Sequence, residues 1–154
     1  MEQMPSRKMA LRIWLGLLTS SQLIEKQVRG RFRTEFETTL PRFDVLAALA
    51  REPKGRTMGE VSRWLLVSSG NITGIISRLV DDGLVTRQLS TGDRRSHLVK
   101  LSPKGRREFE RLSTAHQKWV RDMLSGMTID DMVTLDELLK KVKLSLANEK
   151  EKTS

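Results

Sequence analysis

Cysteine is absent from this 154-residue chain. That excludes disulfides, thiolate metal sites and thiol redox switching. Its two histidines, His97 and His116, stand at no metal-ligand spacing with another strong ligand, so no metal site is expected and each reads as structural or exposed. No apolar run approaches the roughly 20 residues that cross a bilayer, and the start lacks an apolar stretch followed by a small-residue cleavage site. The expectation is a soluble, cytoplasmic protein with no membrane partner. Nucleophile motifs, phosphate-binding loops and dinucleotide fingerprints are missing as well. The Gly70–Gly74 spacing lies outside any long apolar segment and carries little weight. No catalytic constellation remains, so an enzyme is not expected, nor is a cofactor.

What is present in excess is positive charge, formally +9. Residues 1–50 hold 8 basic and 5 acidic side chains, residues 51–111 hold 13 and 7, and residues 112–154 hold 7 of each. A field concentrated in the middle of the chain favours a polyanion there. The length suits one ordinary domain with a real core. Helical patterns are numerous and strand patterns few, which gives a mainly α fold with a small β-ribbon.

The densest information runs from Thr57 to Gly105. Thr57 with Glu60 three residues on is a capping box, and Met58, Val61 and Leu65 keep one apolar face at helical spacing. A second helix follows in SSGNITGIISRLVDDG, with Ile72, Ile75, Ile76, Leu79 and Val80 as its inward stripe and Gly83 as a left-handed cap. Its other face carries Ser69, Gly70, Thr73, Gly74 and Ser77, with Asn71 and Arg78 on the flank. Such small, hydrogen-bonding groups can approach base edges in a major groove.

Residues 84–89 and 97–101 read as strands. The turn-rich segment Ser90, Thr91, Gly92 and Asp93 leads into Arg94 and Arg95. Arginine on a thin loop suits a narrow minor groove, where negative potential concentrates. The alternative is a merely solvated basic loop.

The stretch DGLVTRQLSTGDRRSHLVKLSPKG resembles the winged helix-turn-helix signature of the MarR family of bacterial transcription regulators. Its elements here are Gly83-Leu84-Val85, Arg87, Asp93 with Arg95, and Leu101-Ser102 with Gly105. Residues 40–49, LPRFDVLAAL, match the family's helix before the DNA-binding motif. The resemblance implies that Arg95 enters the minor groove, Asp93 braces the wing and Arg94 assists. It departs from the family in placing two glycines on the reading face. The implied organisation is an N-terminal dimerisation helix over residues 1–35, a winged helix-turn-helix domain over 36–105 and C-terminal dimerisation helices over 106–154.

The flanks fit pairing. Leu11, Trp14, Leu15 and Leu18 share one face of the first helix, and Ile13, Leu17, Ile24 and Val28 lie nearly opposite. A helix apolar on two sides must bury both, so a homodimer is expected. Pro103 suits the first position of a long helix along which Phe109, Leu112, Trp119 and Leu124 lie. Thr128 is an expected N-cap, with Asp130 and Asp131 in the first turn, before an apolar stripe of Leu135, Leu138, Leu139, Val142 and Leu146.

The expected function is sequence-specific regulation of transcription on a pseudo-palindromic, double-stranded operator. By resemblance, the protein is a repressor released by a small anionic aromatic acid or its coenzyme A thioester. A non-specific nucleoid-type protein and a winged-helix assembly module are the alternatives. Arg29, Arg31 and Arg33, around Phe32, form a basic cluster placed beyond the first helix. It either pairs with a carboxylate or phosphate or is a solvated turn. Trp14, His116 and Trp119 are candidate walls for an aromatic effector, with core packing as their other reading.

Overall fold

In the first helix, α1 (Arg7–Phe36), the Ser6 hydroxyl accepts the Met9 amide at 3.2 Å and so caps the helix. It closes where Glu37 takes a left-handed conformation, φ 52°, and donates its amide to the Phe32 carbonyl. The computed structural model describes residues 6–65, 69–89 and 97–153. Thr39 caps α2 (Leu40–Ala50), which buries Phe43, Val45, Leu46, Ala48 and Leu49. Then come β1 (Arg56–Thr57), α3 (Met58–Leu65), α4 (Ser69–Asp81), β2 (Val85–Leu89), β3 (His97–Leu101), α5 (Pro103–Met123) and α6 (Ile129–Thr153).

The arginines 29, 31 and 33 lie inside the last turns of α1 rather than beyond it, because the chain stays helical until Glu37. Helical spacing then separates them. Arg29 and Arg33, four apart, share a face, while Arg31 sits over the Trp119 ring at 5.7 Å.

The sheet is antiparallel with the order β1-β3-β2. Arg56 and Thr57 pair with Val99 and Leu98, and β2 pairs with β3 from Val85↔Leu101 to Leu89↔His97. The two-residue β1 is too short to leave a period in the sequence. Thr57 nonetheless does what its spacing to Glu60 predicts, accepting the Glu60 amide at 3.2 Å.

At the end of α4 the predicted cap is a full Schellman motif. Gly83, φ 74°, donates to the Val80 carbonyl at 3.0 Å, and Leu84 donates to the Leu79 carbonyl at 2.9 Å. Leu84, expected to open a strand, is instead the buried residue that completes this turn. Ser102 then ties the start of α5 back to it. Its hydroxyl donates to the Gly83 carbonyl at 2.6 Å and accepts the Gly105 amide at 2.9 Å. Gly105 packs so closely on Leu84 that a β-carbon there would lie 1.8 Å from the Leu84 carbonyl oxygen.

Contacts divide the chain into two units, Met1–Trp119 and Val120–Ser154. The first has a core of Phe32, Leu46, Leu49, Val61, Ile72, Ile76, Leu79, Val99 and Leu112, each essentially inaccessible. In the second, Leu124 lies in the turn after α5 rather than on it, donating to the Val120 carbonyl. Thr128 and Asp131 cap α6 reciprocally, at 3.1 and 3.0 Å. Among the described residues no helix is long and apolar enough to cross a membrane.

Candidate nucleic-acid interface

Helix α4 is two-sided, as its period requires. Ile72, Ile76 and Leu79 are fully buried, while Asn71, Thr73, Gly74 and Arg78 are exposed and Ser77 is half-buried. A β-carbon on Gly74 would meet nothing within 4 Å, so the middle of this face is a shallow, open surface. Ser69 and Gly70 form the start of the helix. Thr86, Arg87, Gln88 and Leu89 of β2 are exposed, and the Arg87 guanidinium reaches the Ser77 hydroxyl at 3.5 Å. Helix α4 and strand β2 are thus linked at Ser77 and Arg87, with exposed polar residues on both. Asp93, Arg94 and Arg95 lie outside the described residues; the Leu89↔His97 pair marks where the strands leave for that segment.

The C-terminal end of α4 is held from two sides. Arg42 of α2 pairs with Asp82 at 2.6 Å, and Lys104 of α5 donates to the Asp82 carbonyl at 2.8 Å. Exposed ion pairs contribute little stability; these contacts tie the end of α4 to α2 and to α5. The sequence offered no sign of the Arg42–Asp82 pair, since its partners stand 40 residues apart. Trp64 escaped notice too. It is about half exposed, with the Arg51 and Arg56 guanidiniums 5.0 and 5.1 Å from its ring.

Behind the reading face lies a cavity of about 330 Å³ between α1, α2 and α4. Arg29, Arg33, Arg42 and Arg78 line it, together with Asn71 and Ile75. Arg29 and Arg33 are thus brought to one place, and two residues of the α4 flank, Asn71 and Arg78, join them. Arg31, Trp14, His116 and Trp119 are not among its walls. Trp119 is buried edge-on to Phe32 at 5.0 Å. His116 packs on Phe43 and Phe32 at 4.8 and 6.0 Å, and burial pulls its pKa below the usual histidine value. Trp14 is 57% exposed on α1. Among the described residues, no three histidines, aspartates or glutamates converge to hold a metal ion.

The MarR family model matches residues 37–96, a range that holds α2, β1, α3, α4 and β2. The transcriptional activatory protein BadR of Rhodopseudomonas palustris is 32% identical over 137 residues, covering 86% of this chain and 78% of that protein. A MarR family transcriptional regulator from Silicibacter pomeroyi superposes with a TM-score of 0.77 at 29% identity, covering 94% of this chain and 99% of that one. A mutant of Escherichia coli MarR complexed with operator DNA superposes with a TM-score of 0.73 at 29% identity, covering 84% and 94%. These similarities and the winged arrangement of α3, α4, β2 and β3 make the chain a member of the MarR family, a sequence-specific transcriptional regulator and not an enzyme.

Proposed function

We propose that the protein binds a pseudo-palindromic operator as a homodimer and represses there. In this reading α4 enters the major groove, and the arginines that follow β2 enter the minor groove. A small anionic aromatic acid, or its coenzyme A thioester, filling the arginine-lined cavity releases the DNA. The observation that carries this reading is the double use of α4. Asn71 and Arg78 belong both to the exposed flank of the reading helix and to the walls of the cavity, so a ligand there competes for groups that DNA contact needs. The Escherichia coli relative complexed with operator DNA supports the docking.

The reading is tested by titrating the protein against its own promoter region and a scrambled duplex at about 0.15 M salt. A specific regulator prefers its site by about 10³ or more; a ratio near unity makes the protein a non-specific packer. Repression is tested by transcription from that promoter in vitro, which should fall when the protein is added without ligand.

Two substitutions extend the test. Arg95→Ala should weaken operator binding by about 1–3 kcal/mol and leave the thermal midpoint unchanged; undiminished affinity at physiological salt would remove this arginine from the contact. For release, hundredfold relief needs about 2.7 kcal/mol of differential binding, within reach of one or two charge-assisted contacts at roughly 1.5–3 kcal/mol each. Arg33→Ala should therefore abolish release by an aromatic acid or its thioester, while Arg31→Ala, altered at Trp119, should not. Equal responses from both variants would put the effector elsewhere.

A further inference from the structure

The arginine-lined cavity has a neighbour. A second space of about 270 Å³ shares Arg29, Pro41, Asn71 and Ile75 with it and is closed by Glu25 and Asp44. Helical spacing sets the polarity of the combined cleft. Glu25, Arg29 and Arg33 recur every four residues on one face of α1, and Asn71, Ile75 and Arg78 follow one face of α4. The cleft thus runs from two carboxylates at one end to arginines at the other, with Pro41 and Ile75 as apolar walls between.

Neither end is fully neutralised from within. At the basic end Arg42 is engaged by Asp82, but Arg33 and Arg78 pair with no carboxylate among the described residues. At the acidic end the nearest cation, Arg29, is held by Glu25 at 2.6 Å. Asp44 is half-buried and lines this space together with Leu65 of α3, Asn71 and Ile72 of α4, and Glu25 and Arg29 of α1. Burial pushes its carboxyl up to about 6, with Arg29 opposing and Glu25 adding. Above that pH Asp44 is a desolvated charge short of a counter-charge.

We propose that this cleft selects an amphoteric ligand, a small molecule with a carboxylate seated by Arg33 and Arg78 and a protonated amine seated by Asp44. The proposal rests on the cleft being the effector site. A plain aromatic acid satisfies the basic end and leaves Asp44 unpaired. A carboxylate that also carries an ammonium satisfies both ends, with its apolar body placed along the shared walls Pro41 and Ile75. The preference depends on pH with a defined sign. It is present above about pH 6, where Asp44 is charged, and is lost below, where Asp44 is protonated.

The test compares 4-(aminomethyl)benzoate with 4-ethylbenzoate, a probe of the same shape without the amine, by calorimetric titration of the full chain. The amine should bind about tenfold tighter or better at neutral pH, and the two should converge at pH 5. Asp44→Asn should abolish the preference. So should Glu25→Gln, which frees Arg29 to neutralise Asp44 and, being exposed, leaves the fold intact. Arg33→Gln should weaken both probes alike. Equal binding of the two at neutral pH, dependent on Arg33, would overturn the amphoteric site and leave the effector reading standing. No binding of either probe at millimolar concentration would overturn both. A preference that survives in both Asp44→Asn and Glu25→Gln would also sink the proposal.

Discussion

Gly105→Ala should cost about 3 kcal/mol or more and loosen the wing from the rest of the domain. The added β-carbon would lie 1.8 Å from the Leu84 carbonyl oxygen, 2.8 Å from its carbonyl carbon and 3.2 Å from its α-carbon. All three belong to backbone, so no side chain can rotate away. The backbone at fault is also committed, since Leu84 closes the Schellman turn of α4 and its carbonyl accepts the Ser102 amide at 3.0 Å. Relief would require α5 to back off, drawing Ser102 from Gly83 and Lys104 from Asp82. Gly74→Ala is the control for helix propensity. It adds the same methyl to open space inside α4, where replacing glycine is expected to stabilise by roughly 0.5–1 kcal/mol. Thermal or urea unfolding of the two variants should therefore move in opposite directions. A Gly105→Ala midpoint within error of the parent would mean that the close approach to Leu84 is not rigid.

That glycine illustrates where the sequence was readable and where it was not. Signals confined to a few residues could be interpreted physically before any fold was known. Thr57 and Thr128 sit three residues before Glu60 and Asp131, and both hydroxyls cap. Ile72, Ile76 and Leu79 repeat at the helical period and are buried, and Gly83 stops α4 in the left-handed region. Gly105 stood out only through resemblance, because the reason for it is a backbone brought close from 21 residues away. The same distance problem hid the cleft. Glu25, Asp44 and Asn71 come from three helices, and no local pattern links a half-buried aspartate on α2 to an arginine face on α1. The arginines themselves were visible, but the helix that carries them was ended too early, since Gly30 and Thr34 tolerate helix and only Glu37 breaks it. For Trp119 and His116 residue type left two readings, aromatic wall or core packing, and the choice rests on distant partners: Trp119 is buried against Phe32 and His116 is half-buried beside Phe43.

Leu11→Glu with Trp14→Glu should split the proposed dimer and lower operator affinity about 10²- to 10⁴-fold. Within the chain α1 buries only Val28 and Phe32. Leu11, Trp14 and Leu15, on one side of it, are 57, 57 and 49% exposed, and Ile13, nearly opposite, is 49% exposed. Contiguous large apolar groups left in water on a long helix mark an association surface. Fully burying such a side chain contributes about 1.5–3 kcal/mol. These are about half exposed in the chain, so the four lost from the dimer, two per protomer, remove roughly 3–6 kcal/mol of association, with charge in their place. None of these side chains is in the core, so the helical circular dichroism should be kept, while the unfolding midpoint should fall and lose its dependence on protein concentration as the stabilisation from association is removed. The loss on DNA follows from geometry rather than contact. A two-fold dimer sets its reading helices about 34–36 Å apart, one turn of DNA, and makes binding of the second half-site intramolecular. A monomer keeps every groove contact of one half-site and forfeits that linkage. Sedimentation should show the double variant as a monomer at micromolar concentration where the parent is a dimer. On an operator cut to a single half-site, the two proteins should bind alike. A variant that sediments with the parent, or that binds the full operator as tightly, would place dimerisation elsewhere than this face of α1.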